Sequence, residues 1–172
     1  MNPVHRHLVL GAAIAALLPI PRAFGADSPA TADAANIAHC VADSPSPLEQ
    51  NKCTVIRFYD KALNDKDPDA ALDYVGPHYV QHNPSAQDDR DGLRKFIEWV
   101  RADHPNSRSE IVQAFADGDF VVLNVRMVRF PEKNDRGLAI GEFFRLANGK
   151  IVEHWDRIQA IPDKSLNPNA MF

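Results

Sequence analysis

Two hydrophobic periods divide this chain. Between Leu48 and Val100 apolar residues recur at spacings of three, four and seven, and after Ser107 they alternate with polar ones. Leu48, Val55, Ile56, Tyr59, Ala62 and Leu63 mark one face of a first helix that ends near Asn64. Ser46 is placed to cap it, Pro47 suits its first turn, and Glu49 completes a capping box. Asp67-Pro68 opens a shorter second helix carrying Ala70, Ala71, Leu72 and Tyr74, closed by Gly76-Pro77. Residues 79–82 read as a short extended piece, and Pro84 bars its continuation as an interior strand. A third helix follows Asp88-Asp89, with Leu93, Phe96, Ile97 and Val100 on one side, and stops before Pro105.

The period-two region predicts four strands, over residues 109–116, 119–129, 138–146 and 150–161. Asp117-Gly118 and Asn148-Gly149 sit at two joints, where a hairpin needs residues that tolerate positive φ. The middle joint, PEKNDRG, is longer and polar. Helices gathered on one side of an antiparallel meander make an α+β domain. Three helices closing one side of a curved, mainly antiparallel sheet leave a cone-shaped cavity.

The N-terminus changes how much of the 172 residues builds this fold. Residues 1–25 combine Arg6, an uncharged apolar run over 8–20, and Ala23-Phe24-Gly25 before a cut, the three parts of a secretory signal peptide. The apolar run is shorter than the roughly 20 residues that span a bilayer. The expectation is therefore a secreted or periplasmic protein with no membrane association after cleavage. Residues 26–45 are rich in Ala, Asp, Ser and Pro and read as a leader; the domain covers 46–163, and 164–172 form a loose tail. Cys40 and Cys53 are either one disulfide tying the leader to the first helix or two reduced thiols.

Composition narrows the partners. With 45% hydrophobic and 24% charged residues, the chain is neither disordered nor a multi-span membrane protein. Its formal charge of −4 lacks a basic cluster, which argues against nucleic acid. Removing 1–25 takes away Arg6 and Arg22 and no acid, so the exported chain is more acidic still. Neither a G-x-S-x-G elbow nor a Gly-rich phosphate loop is present, and no cofactor is expected.

The last hairpin carries the densest chemistry. A three-residue loop at Ala147-Asn148-Gly149 pairs Leu146 with Lys150, Phe144 with Val152 and Glu142 with His154. Glu142, Phe144, Val152, His154 and Asp156 then share one face. Phe143, Arg145, Ile151, Glu153 and Trp155 share the other. A two-residue turn instead slips the register and sets Glu142 beside Trp155. In the first register the Glu142–His154 face lines the cavity. The Arg145–Glu153 face suits a homodimer contact.

The element order, the segment YVQHNP at 79–84 and the segment GEFFRLANGKIVEHWDRIQ at 141–159 resemble the SnoaL-like branch of the nuclear transport factor 2-like superfamily. The resemblance covers about residues 48–162 and implies that family's α+β cone. The superfamily holds ketosteroid isomerase, scytalone dehydratase, limonene epoxide hydrolase, polyketide cyclases and proteins that only bind or dimerise. It implies homodimerisation, and it puts His82 near the general-base position of ketosteroid isomerase. Cyclase members carry an acid-base aspartate a few residues after the His-Trp pair; Gln159 stands there in this chain.

These readings nominate His82, Asp156 and His154 for proton transfer and Tyr79, Asn83, Glu142, Phe144 and Trp155 for ligand contact. Tyr79 and Trp155 read as core or interface aromatics before they read as substrate platforms. Two histidines with a carboxylate suit an open metal site, but no H-x-x-x-H or C-x-x-C pair supports one, so no metal is expected. Two classes stay open. One is a cofactor-independent isomerase, cyclase or (de)hydratase acting on a small, largely apolar molecule through His82. The other is a noncatalytic ligand-binding or dimeric accessory module.

Overall fold

The computed structural model describes residues 45–133 and 135–172. The expected signal segment, nearly all of the leader, and Cys40 with its pairing to Cys53 lie outside those residues. No helix among the described residues is long and apolar enough to cross a membrane.

Helix α1 spans Pro47–Tyr59 and runs on as a wide π-helical turn over Asp60–Asn64. Val55, Ile56, Tyr59, Ala62 and Leu63 are buried as their spacing predicts, whereas Leu48 is 40% exposed. The expected capping box does not form. Ser46 makes no side-chain cap bond to the helix, and Glu49 pairs with Lys52 at 2.7 Å. Helix α2, Pro68–Leu72, is capped by Asp67, whose carboxylate accepts from the Asp69 and Ala70 amides at 3.1 Å.

Strand β1 spans Val75–Gln81, so Gly76-Pro77 lies inside a strand rather than ending a helix. An edge strand tolerates the proline because one side of its backbone needs no ladder donor. Helix α3, Asp89–Asp103, is tied to β1 by Arg90, whose guanidinium donates to the Leu72, Val75 and Gly76 carbonyls. Strands β2 (Arg108–Asp117), β3 (Phe120–Val128), β4 (Leu138–Ala147) and β5 (Lys150–Ala160) follow the alternating pattern closely. The sheet order is β1-β5-β4-β3-β2, antiparallel except for the parallel β1–β5 pair. The fold is thus the expected α+β arrangement, helices on a mainly antiparallel sheet.

One face of the sheet is covered by the helices. Val121, Leu123 and Val125 of β3, Phe144 and Leu146 of β4, and Ile151 of β5 are at most 1% exposed there. The π-helical turn is anchored to this layer by Asn64. Its side-chain amide accepts from the Ser109 N–H at 2.9 Å and donates to the Ser109 carbonyl at 3.0 Å, as a neighbouring strand would. The opposite face is open, with Phe115, Phe120 and Phe143 between 38% and 59% exposed.

Replacing Asn64 with alanine strands both Ser109 groups and is expected to cost about 1–3 kcal/mol. A urea midpoint unchanged in that variant would show that the anchor contributes nothing.

Candidate active site

The β4–β5 hairpin sets the site, and its turn is not the expected one. Asn148 and Gly149 both have positive φ, 53° and 70°, and form a two-residue loop closed by Ala147 and Lys150. Such a turn pairs Leu146 with Ile151, and Ile151 therefore points into the core at 0% exposure rather than to the open face. A bulge between Arg145 and Leu146 then corrects the slip. Val152 becomes the extra residue, Phe144 opposes His154, and Glu142 opposes Asp156 instead of His154. Because the bulge restores the alternation, Glu142, Phe144, His154 and Asp156 still share the helix-covered face.

Glu142 and His154 are buried at 6% and 9% exposure, a costly place for two ionisable groups without partners. They find those partners on four elements. The Tyr59 hydroxyl on α1 donates to Glu142 Oε1 at 2.8 Å. The other carboxylate oxygen lies 2.6 Å from His154 Nε2. His154 Nδ1 lies 2.9 Å from Gln81 Oε1 on β1, which also accepts from the Asn83 N–H at 2.9 Å. Gln81 Nε2 donates to the Tyr79 hydroxyl at 3.0 Å. Asp156 accepts from the Asn83 side-chain amide at 2.5 Å.

These contacts assign hydrogens. The Asn83 N–H can only donate, so Gln81 Oε1 is an acceptor and Nδ1 of His154 carries a hydrogen. A nitrogen and a carboxylate oxygen 2.6 Å apart need a proton between them, since two lone pairs would repel. Glu142 and His154 thus share one proton. Burial first, and the Glu142 charge second, push the Tyr59 phenol well above its ordinary value, so it serves as a donor. Burial does the same to Tyr79.

Glu142, His154 and Asp156 each offer one atom within 4.8 Å of the others, a spacing that a cation could exploit. The shared proton already occupies the gap between two of the three, and Asp156 is engaged by Asn83. With Tyr59, Gln81 and Asn83 the set forms one hydrogen-bonded cluster.

His82 does not join it. Strand β1 pairs Gln81 with His154, so Tyr79 and Gln81 face the helices while Val80 and His82 face the other way. The His82 backbone N–H donates to the His154 carbonyl at 3.0 Å, but its ring stacks on Trp155 at 4.6 Å and 5°. Its Nε2 bonds Glu153 at 2.9 Å, and Arg145 holds the other Glu153 oxygen at 2.6 Å. His82 is therefore corrected from the Glu142–His154 face to the open face, and Trp155 lies there with it. Phe144 is core, 1% exposed, with its ring 4.8 Å from that of His154. Of the nominated residues, Glu142, His154, Asp156, Asn83 and Tyr79 come together. Tyr59 and Gln81 were missed: Tyr59 read as an apolar helix position, and Gln81 was passed over beside His82. Alternation from Tyr79 would have found Gln81.

The His82 hydrogen bond, opposed by partial burial and assisted by Arg145, holds the Glu153 carboxyl below its ordinary value of 4.5. The unfolded chain then binds that proton more readily, so the stabilisation is complete above the ordinary value and is lost as pH falls through the lower folded one. Thermal midpoints measured from about pH 6 to about pH 3 should fall less steeply in Glu153→Gln than in the unaltered protein. Parallel curves would contradict this.

Comparison with known proteins agrees with the fold. The family model of the SnoaL-like domain matches residues 55–154. AclR of Streptomyces galilaeus, a provisionally assigned hydroxylase, superposes with a TM-score of 0.55 at 21% identity, over 67% of this chain and 82% of its own. A provisionally assigned polyketide cyclase of Bacillus cereus gives 0.55 at 18%, over 69% and 89%. A provisionally assigned ketosteroid isomerase of Kribbella flavida gives 0.56 at 15%, over 74% and 88%. A comparison with curated proteins finds no match.

Proposed function

Because the chain belongs to the SnoaL-like domain family, we propose that it is an isomerase- or cyclase-type enzyme working by proton transfer without a cofactor. The observation that carries this is the buried Glu142–His154 pair, 2.6 Å apart, with one proton between them. Such a pair takes a proton at one atom and returns it at another, which is what moving a double bond or closing a ring through an enol requires. Solved neighbours that share the fold include a provisionally assigned polyketide cyclase and a provisionally assigned ketosteroid isomerase.

The residues assign roles. Glu142 and His154 exchange the proton, and Tyr59 holds Glu142 in place. Asp156, kept by Asn83, adds a negative charge beside a pair that is neutral overall. This favours an uncharged, largely apolar carbonyl compound over a carboxylate or phosphate. His82 lies outside these roles. Export to the periplasm or medium belongs to the same proposal, supported by the composition of residues 1–25.

A second reading, a binding or dimeric accessory module, is supported by the open face. There Phe120, Phe143, Trp155 and Arg157 line a depression of about 260 Å³. A second copy of the chain is the partner we propose for that face.

Exchange of α-hydrogens for deuterium in a panel of small cyclic ketones distinguishes the two readings. Glu142→Gln and His154→Asn should each slow exchange by about 10²–10⁴-fold, while His82→Ala should leave it close to that of the unaltered protein. If both relay variants exchange as fast as the parent, the enzymatic reading is wrong.

A further inference from the structure

We propose that Gln81 is a positioning residue that decides which nitrogen of His154 exchanges protons. The inference rests on the proton-transfer reading of the Glu142–His154 pair and adds a direction to it: Nδ1 keeps its hydrogen, and all exchange passes through Nε2.

An imidazole between two acceptors has a choice. On one side Gln81 Oε1 lies 2.9 Å from Nδ1, and on the other Glu142 Oε2 lies 2.6 Å from Nε2. A neutral ring carries one hydrogen, so one nitrogen must face its oxygen bare. The two sides differ in what they can do about that. The carboxylate can take the proton and become the donor. A glutamine oxygen cannot, and its only relief is to turn the amide over and present –NH₂.

Gln81 is prevented from turning. Its oxygen accepts from the Asn83 backbone N–H at 2.9 Å, a donor that has no other role to offer. Its nitrogen donates to the Tyr79 hydroxyl at 3.0 Å, and burial keeps that phenol protonated. Its own backbone N–H is held by Asp88 at 2.8 Å, which fixes the end of β1 against the start of α3. A flipped amide would set –NH₂ against the Asn83 N–H, two donors facing each other. The bare nitrogen therefore falls on the Glu142 side, where the shared proton resolves it.

Other charged groups do not overrule this. The ionisable groups facing the relay are Glu142 on β4, Asp156 on β5, Tyr59 on α1 and Tyr79 on β1. Tyr59 bonds Glu142, and Asp156 bonds Asn83. His82 and Glu153 bond each other across the sheet. Gln81 is the only one of these partners within bonding reach of Nδ1 among the described residues.

The test is the tautomer, read directly. Two-bond ¹H–¹⁵N correlation spectra of the full, ¹⁵N-labelled chain should show His154 with a protonated Nδ1 and with Nε2 between its bare and protonated positions. In Gln81→Met the Nδ1 hydrogen loses its acceptor and should leave to solvent, so the spectrum should switch to a bare Nδ1, with the remaining hydrogen on Nε2 donated to the Glu142 carboxylate. Gln81→Glu, which keeps an oxygen at that point, should restore the parent pattern. Ketone α-deuterium exchange should fall at least roughly tenfold in the methionine variant and recover in the glutamate one. A bare Nδ1 in the unaltered protein overturns the proposal, whatever the variants do. So does a methionine variant that keeps the parent tautomer and rate. If the tautomer switches as stated while Glu142→Gln exchanges at full rate, Gln81 does lock the ring and it is the enzymatic reading that fails.

Discussion

A carboxylate and an imidazole buried together are the constraint around which this fold is organised. Neither Glu142 nor His154 can sit under the helices without a partner for each polar atom. Meeting that requirement takes Tyr59 from the first helix, Gln81 and Asn83 from the edge strand and its exit, and a 2.6 Å contact across the hairpin. The parallel β1–β5 pairing, otherwise the odd member of an antiparallel sheet, is what brings Gln81 alongside His154. The same contacts that satisfy the buried groups also fix their hydrogens. Structural need and chemical readiness have one cause here.

Two local irregularities make this arrangement possible. The π-helical turn after Tyr59 widens the end of α1 and lets Asn64 bond the backbone of β2, which seats Tyr59 over the sheet. The bulge in the hairpin is the second. A two-residue Asn-Gly turn by itself would have put alternate residues on the wrong faces. One extra residue, Val152, returns His154 and Asp156 to the side of Glu142 while Ile151 stays in the core. Irregularities of this kind cost ladder hydrogen bonds and persist where they re-aim a side chain.

The open face has a different character. His82, Trp155, Glu153 and Arg145 form a chain of stacking and ion pairs beside exposed Phe120 and Phe143. Sequence proximity made His82 look like a member of the site, since its backbone is bonded to His154. Alternation along one strand sends the two side chains to opposite sides of the sheet. Adjacent residues of a strand are close in the chain and separated by the sheet itself.

The amino-acid sequence by itself determined the element order, the four-strand meander, the α+β class and the alternation that puts His154 and Asp156 on one face of the last strand. Each of these follows from a local period, and a period needs no knowledge of distant residues. It also carried the resemblance to SnoaL-like proteins. Tertiary structure alone decided which partner each polar group meets. Turn type and bulge trade off against each other, and only packing of Ile151 and Leu146 in the core selects the combination. The roles of Gln81 and Tyr59 depend on residues about 73 and 83 positions away, reached through a parallel pairing and a helix crossing that no spacing along the chain encodes.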